Sequence, residues 1–248
     1  MKNITKIIAI GISAFAGNSF AHSFNLNLNL GASFSRLSNS PYVSPSAGLT
    51  NSYQSNEPTQ TNFFIGGGAE YDFNQFATAP LTLGLDASVD DIDLGAVQGV
   101  EVPNVTAGFT DTLNYSLRSK SIALLFGPKL IDSACRFQPY IFGGVGASWN
   151  TLSNFGESLV TGSGAAVSPY PYTNQTNVGF AYDAGAGVQY ALIKTPRNNT
   201  LFVRLEGQYI NLGMSQLGPT AIQNTNSRFT INPTTTVLVN CGLTYQFH

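Results

Sequence analysis

The sequence predicts an all-β fold: an eight-stranded, antiparallel, up-and-down transmembrane β-barrel with four long outer loops and short periplasmic turns. Three observations predict it. Stretches of about ten residues alternate apolar side chains with small or polar ones, the period of a strand, in which successive side chains point to opposite faces. The connections between these stretches alternate between long and short. Finally, 10% of the 248 residues are charged, 12% are aromatic and 25 are glycine, yet after the first 21 residues no stretch is apolar over the ~18 residues that a membrane-spanning helix needs.

The chain opens with Lys2 and Lys6 around the apolar run IIAIGISAFAG, followed by the small-x-small site Ser19-Phe20-Ala21. Residues 1–21 therefore read as a secretory signal peptide and residues 22–248 as the barrel. The mature chain holds 9 basic and 13 acidic residues, a formal charge of −4, which argues against nucleic-acid binding because that needs a basic face.

The first strand, SFNLNLNLGASF, sets Phe24, Leu26, Leu28, Leu30 and Phe34 against Asn25, Asn27, Asn29 and Ser33. FFIGGGAEYDF sets Phe63, Ile65, Tyr71 and Phe73 against Glu70 and Asp72, and LTLGLDASV sets Leu81, Leu83, Leu85 and Val89 against Asp86 and Ser88. IALLFGPKL, FQPYIFGGVGASW, VGFAYDAGAGVQYAL and LFVRLEGQY follow the same period. VLVNCGLTYQFH supplies the eighth strand, with Val237, Val239, Cys241, Leu243, Tyr245 and Phe247 outward. It is expected to close against the first, because an open sheet edge in hydrocarbon leaves backbone groups unsatisfied. Residues 35–60, 91–112, 151–176 and 212–230 read as the long loops, whereas NQFATAP, IDSAC and IKTPRNN read as tight turns.

Inward parity collects charge. Glu70, Asp72, Asp86, Asp183, Arg204 and Glu206 face the lumen, and Lys129 joins them if Ile122, Leu124 and Phe126 face lipid. Side chains nearly fill a barrel of eight strands, so Lys129 and Arg204 are expected to be the cations of a plug with Glu70, Asp72, Asp86 and Glu206; a narrow channel gated by those pairs is the rival. The glycine runs GGVGAS and GAGV do not suit a dinucleotide loop, which must open a helix. Glycine there makes room for crowding side chains, with Tyr140 and Phe142 the candidates.

At the long-loop rim, Arg36 continues the outward parity of Phe34, and Arg118 and Lys120 that of Ile122. The three are expected to contact lipopolysaccharide phosphates, since Arg offers a bidentate grip and Lys a point charge. Apolar parity changes between Leu113-Tyr115-Leu117 and Ile122-Leu124-Phe126, so a bulge that turns Arg118 inward is the alternative. Asp90, Asp91 and Asp93 read as solvated loop acids more readily than as a calcium site, and no metal or other cofactor is expected. Cys135 in a turn and Cys241 on a strand are not expected to bridge.

FQPYIFGGVGAS, AYDAGAGVQYAL, LFVRLEGQYINLG and the terminal GLTYQF resemble the small eight-stranded outer-membrane barrels that include the OmpA transmembrane domain and the opacity-type surface antigens. The resemblance implies the outer membrane of a Gram-negative cell and a terminal aromatic signal, Tyr245 and Phe247, read by the barrel-assembly machinery. No peptidoglycan-binding domain is expected after the barrel. Implied partners are outer-membrane lipid, lipopolysaccharide and an extracellular or host ligand held by the loops. Barrel enzymes mostly resemble one another in using a histidine base; His22 and His248 are both expected at the periplasmic end, so a non-enzymatic surface barrel for adhesion, antigen display or membrane integrity is expected. The alternative is a narrow channel or transporter for small or hydrophobic solutes that resembles the OmpW group.

Overall fold

A computed structural model describes residues 23–39, 42–56, 59–73, 80–103, 112–134, 136–160, 171–196 and 199–247. The expected signal peptide, His22, His248, Cys135 and most of NQFATAP lie outside the described residues.

The described chain forms eleven strands: β1 (Ser23–Asn39), β2 (Tyr42–Ser46), β3 (Leu49–Ser55), β4 (Thr59–Asp72), β5 (Leu81–Val102), β6 (Leu113–Asp132), β7 (Phe137–Leu159), β8 (Gln175–Lys194), β9 (Thr200–Asn211), β10 (Ser215–Gln216) and β11 (Thr230–Phe247). Eight of them close a ring in the order β1-β4-β5-β6-β7-β8-β9-β11, every neighbour antiparallel. Closure runs through β1 and β11, from Phe24 opposite Phe247 to Leu37 opposite Thr234, so neither terminal strand presents an edge to lipid. The hairpin of β2 and β3 adds to the far end of β5, and β10 adds to β11.

All four of the expected loops are partly strand, the last of them only through β10 and the start of β11. β1 continues to Asn39, β5 to Val102 and β7 to Leu159, and residues 42–55 form the β2–β3 hairpin. β5, β6 and β7 are 22, 20 and 23 residues long against 12 for β9. A tilted barrel strand crosses hydrocarbon in about 9–11 residues, so these three walls rise about as far again beyond the bilayer.

The physical reason is that alternation continues while its chemistry inverts. In the band that faces lipid, Leu26, Leu28 and Leu30 are exposed and Asn25, Asn27 and Asn29 are buried. Beyond it, Leu37, Ile92, Leu94, Leu117 and Leu152 are buried, while Arg36, Arg118 and Lys120 point outward. Water replaces lipid outside the wall, so the apolar side chains turn to the interior.

β6 keeps one parity throughout: every second residue from Leu113 to Ile131 is buried. The change between Leu113-Tyr115-Leu117 and Ile122-Leu124-Phe126 is therefore a change of surroundings, and Arg118 stays outward. Bulges occur instead on the two flanking strands. In β5 the register shifts between Asp93 and Gly95, and Gly95 has φ 89°; in β7 it shifts opposite Ser116 and Arg118, where Asn154 has φ 56°. Each extra residue reverses the parity that follows, turning Val97 and Glu101 of β5 and Phe155 of β7 inward.

Residues 212–229 complete the upper wall where β9 stops short. Leu217 N–H donates to Phe229 O at 3.0 Å, Gly218 N–H to Thr173 O at 2.9 Å and Asn224 N–H to Pro45 O at 3.2 Å. This segment thus joins the start of β8 to the outer edge of β2 and closes a cap over the barrel.

Candidate functional site

The interior of the lipid-facing band is a polar plug. Lys129, 2% exposed, donates to Glu70 Oε2 at 2.7 Å and lies 4.2 Å from the centre of the Tyr140 ring. Arg204 pairs with Glu206 and donates through Nε to the Tyr140 hydroxyl at 3.1 Å; that hydroxyl donates in turn to Glu206 Oε2 at 2.8 Å. Asn240 adds a third donor to Glu206 at 3.2 Å. Each buried cation thus has a carboxylate and an aromatic face, and each paired carboxylate has a donor, as low-dielectric surroundings require.

The other expected lumen acids sit differently. Asp72 faces the short-turn end and accepts from Ser23 and Asn25, both at 2.8 Å, with no ion pair among the described residues. Asp86 accepts a long hydrogen bond from Asn27 at 3.4 Å, and Asp183 accepts from Gln208 at 2.8 Å. Asp90, expected among the loop acids, is buried in the lumen instead. It shares a small cavity of about 20 Å³ with Asp86, Lys129, Arg204 and Gln208, room for a single water. The signal for Asp90 was present, since its parity matches Asp86; the loop assignment hid it.

Tyr140 and Phe142 do point inward, and the glycines opposite them make the room. A Cβ on Gly185 would run into the Phe142 ring, and one on Gly187 would meet the Tyr140 ring at 2.5 Å. Sequence reasoning placed Tyr140 as a crowding ring but missed it as the hydroxyl that links Arg204 to Glu206. Below the plug, a vestibule of about 720 Å³ opens at the short-turn end, with Asp72, Gln189 and Gln246 in its wall and Arg136 and Lys194 among its basic groups.

At the rim, Arg118 pairs with Asp93 at 2.8 Å and Lys120 with Asp91 at 2.9 Å, all four on the outer wall and at least partly exposed. Arg36 is exposed on β1, opposite Thr59 and Thr235. Tyr245 and Phe247 are in edge contact with centroids 4.7 Å apart, and Phe247 lies 6.1 Å from Phe24. Cys241 is free and exposed on the outer face.

Under the cap lies a second buried group that the sequence did not reveal. Glu101, 1% exposed, accepts from Asn51 at 2.8 Å and from the Tyr53 hydroxyl at 2.9 Å. Around it stand the rings of Tyr53, Tyr115, Phe155, Tyr172 and Phe229, with Tyr53 5.2 Å from Phe229 and Phe155 4.9 Å from Tyr172.

The profile of the outer membrane protein beta-barrel domain matches residues 7–247. Among solved structures, the chain is similar to Neisserial surface protein A at 12% identity, covering 90% of this chain and 97% of that one with a TM-score of 0.39. It is similar to the attachment invasion locus protein Ail of Yersinia pestis at 14% identity, covering 90% and 98% with a TM-score of 0.35. The outer membrane protein OprG of Pseudomonas aeruginosa is 14% identical over 90% of this chain and 96% of its own, with a TM-score of 0.37. No curated protein sequence matches the chain.

Proposed function

The chain belongs to the outer membrane protein beta-barrel family and resides in the outer membrane of a Gram-negative cell, and we propose that it is a non-enzymatic surface barrel whose capped, long-loop end stands outside the cell and contacts extracellular or host molecules. One observation carries this reading: above the vestibule the lumen is filled, by the ion-paired plug in the lipid band and by buried Leu37, Ile92, Leu94, Leu152, Leu217 and Phe229 beyond it. Function then falls to the exposed loops rather than to the lumen. The paired acids Glu70 and Glu206 are committed to Lys129 and Arg204, which supports a structural over a catalytic role for them. Single-channel recording in planar bilayers is expected to show no discrete conductance, and steps above the lipid background would overturn the reading. The vestibule at the short-turn end favours the second reading, a narrow channel or transporter, and the same recording decides between them. Protease shaving of intact cells is expected to cut within residues 35–60, 91–112, 151–176 or 212–230; cutting within NQFATAP or IKTPRNN instead inverts the orientation.

Arg36, Arg118 and Lys120 are assigned to the phosphates of lipopolysaccharide, because all three point outward just beyond the lipid-facing Phe34 and Ile122. Arg36 has no carboxylate partner among the described residues, whereas a phosphate at Arg118 or Lys120 competes with Asp93 or Asp91. Replacing the three with Gln is expected to lower thermal stability in lipopolysaccharide-containing bilayers and leave it unchanged in neutral detergent; equal loss in both media refutes the contact. Tyr245 and Phe247 are assigned to recognition by the barrel-assembly machinery, so Phe247→Ala is expected to slow assembly in cells more than refolding in detergent. Equal slowing in both settings would remove that assignment.

A further inference from the structure

Two cations are turned into the mouth of the vestibule at the short-turn end. Tyr140 and Phe142 set the inward parity of β7, and Arg136, just before the strand, continues it: Ala191 N–H donates to Arg136 O at 3.1 Å, and both residues line the vestibule. On β8 the inward positions run through Asp183 and Gln189 to Ala191, and unbroken alternation would carry Ile193 inward and Lys194 out to lipid. A bulge prevents this. The register with β9 shifts between Ala191 and Ile193, so that Ile193 stands opposite the outward Leu201 and Lys194 opposite the buried Thr200. Ile193 is 59% exposed, and Lys194 lines the vestibule. Bulges at barrel rims re-aim side chains in this way.

Neither cation has a carboxylate partner among the described residues. Asp72 is the one acid among the described lining residues, and it is committed to the barrel's own donors: Ser23 and Asn25 at 2.8 Å and Gln246 at 3.4 Å. The charge presented to a ligand is therefore positive. Deeper in, the wall mixes apolar and amide surface. Phe73, Ile131 and Phe202 supply the first. Gln189, 3% exposed, donates to Gln138 Oε1 at 2.8 Å, while its own Oε1 is buried with no donor among the described residues. The volume of about 720 Å³ lies in the range of small-ligand sites.

We propose that the vestibule is a binding site for short peptides with a free carboxylate terminus, held by Arg136 and Lys194 at the mouth and by Gln138 and Gln189 within. The guanidinium of Arg136 takes the carboxylate through two parallel hydrogen bonds and Lys194 adds a point charge. A peptide N–H supplies the donor that Gln189 Oε1 lacks, the Gln138 amide donates to a peptide carbonyl, and small apolar side chains lie against Phe73 and Phe202. A fatty acid satisfies the two cations equally well, but its hydrocarbon tail leaves the buried Gln189 Oε1 without a partner, and an unpaired buried polar group is costly. The site lies at the end of the barrel opposite the cap, so it is additional to any contact that the long loops make with extracellular molecules and independent of it.

Isothermal titration of the intact barrel in detergent micelles tests this with three probes: N-acetyl-trialanine, its C-terminal amide, and hexanoate, a carboxylate on a hydrocarbon tail. Micelles leave both ends of the barrel open, so the result does not depend on which end faces the cell exterior. The free-carboxylate peptide is expected to bind, and its amide to bind at least about tenfold more weakly, since the charged hydrogen bonds are lost. Replacing both cations, Arg136→Gln with Lys194→Gln, is expected to weaken the free-carboxylate peptide by a similar factor while the melting temperature stays unchanged, because both side chains are exposed. Equal affinity for the peptide and its amide overturns the site, as does undiminished binding in the double variant or no binding of the peptide tighter than about 1 mM. Hexanoate that binds more tightly than the peptide gives the vestibule to lipid-like anions and overturns the peptide assignment.

Discussion

Within β6, residues 113–119 and residues 121–131 share one backbone parity and opposite chemistry. In the upper part, Leu113, Tyr115 and Leu117 are buried inside while Arg118 and Lys120 meet water outside; in the lower part, Ser121 and Lys129 are buried inside while Ile122, Leu124 and Phe126 meet lipid. The two regions are stabilised by different forces. Lipid is as apolar as leucine, so turning Leu124 outward brings little hydrophobic gain relative to a membrane-embedded reference, and the lower half depends on its closed backbone and its satisfied plug. Above the bilayer, water is the solvent again, and burial of Leu117, Leu152 and Phe229 stabilises the cap as in a soluble protein.

That contrast is breakable, and the largest effect is expected in the plug. Lys129→Met leaves Glu70 as an uncompensated buried charge, and is expected to destabilise the barrel by about 3–5 kcal/mol. Trp149 fluorescence through a denaturant titration in detergent measures it, and adding Glu70→Gln is expected to restore most of the loss; no recovery means that Lys129 supports the fold by other contacts. In the cap, Phe229→Ala removes a fully buried ring and is expected to cost about 3 kcal/mol. Its signature is lost exchange protection in residues 212–231 with the lipid band intact, and uniform loss through both halves would show that they are one cooperative unit.

Exchanging the outward faces gives a smaller effect. Leu243→Arg puts a cation toward lipid and is expected to cost about 2 kcal/mol after snorkelling, whereas Ser116→Arg on the exposed upper wall is expected to change stability by less than about 0.5 kcal/mol. Equal tolerance at the two positions would mean that the boundary between lipid and water lies elsewhere. Least is expected from Asp93→Asn, which breaks an exposed pair with Arg118 worth under about 1 kcal/mol. A salt-insensitive loss larger than that would make the rim pair part of the wall's architecture.

The residues by themselves determined the parts of this protein in which chemistry and period agree. Eight lipid-facing strands, the lumen parity of Glu70, Lys129, Arg204 and Glu206, and the glycines facing Tyr140 and Phe142 were legible because a bilayer imposes one rule on every strand it touches: apolar outward, polar or small inward. The loops were less legible. Above the bilayer that rule reverses, so the continued alternation through Ile92, Leu94 and Tyr115 looked like its interruption. Bulges at Gly95 and Asn154 then shifted parity again. Only the tertiary structure decided that Asp90 belongs to the lumen and that Lys129 takes Glu70 while Arg204 takes Glu206. It alone brought Glu101 to Asn51 and Tyr53, 50 and 48 positions away. Pairing inside a closed ring depends on the stagger between strands and on their bulges, and a side chain's own sequence neighbours carry no record of which residue that stagger places opposite it.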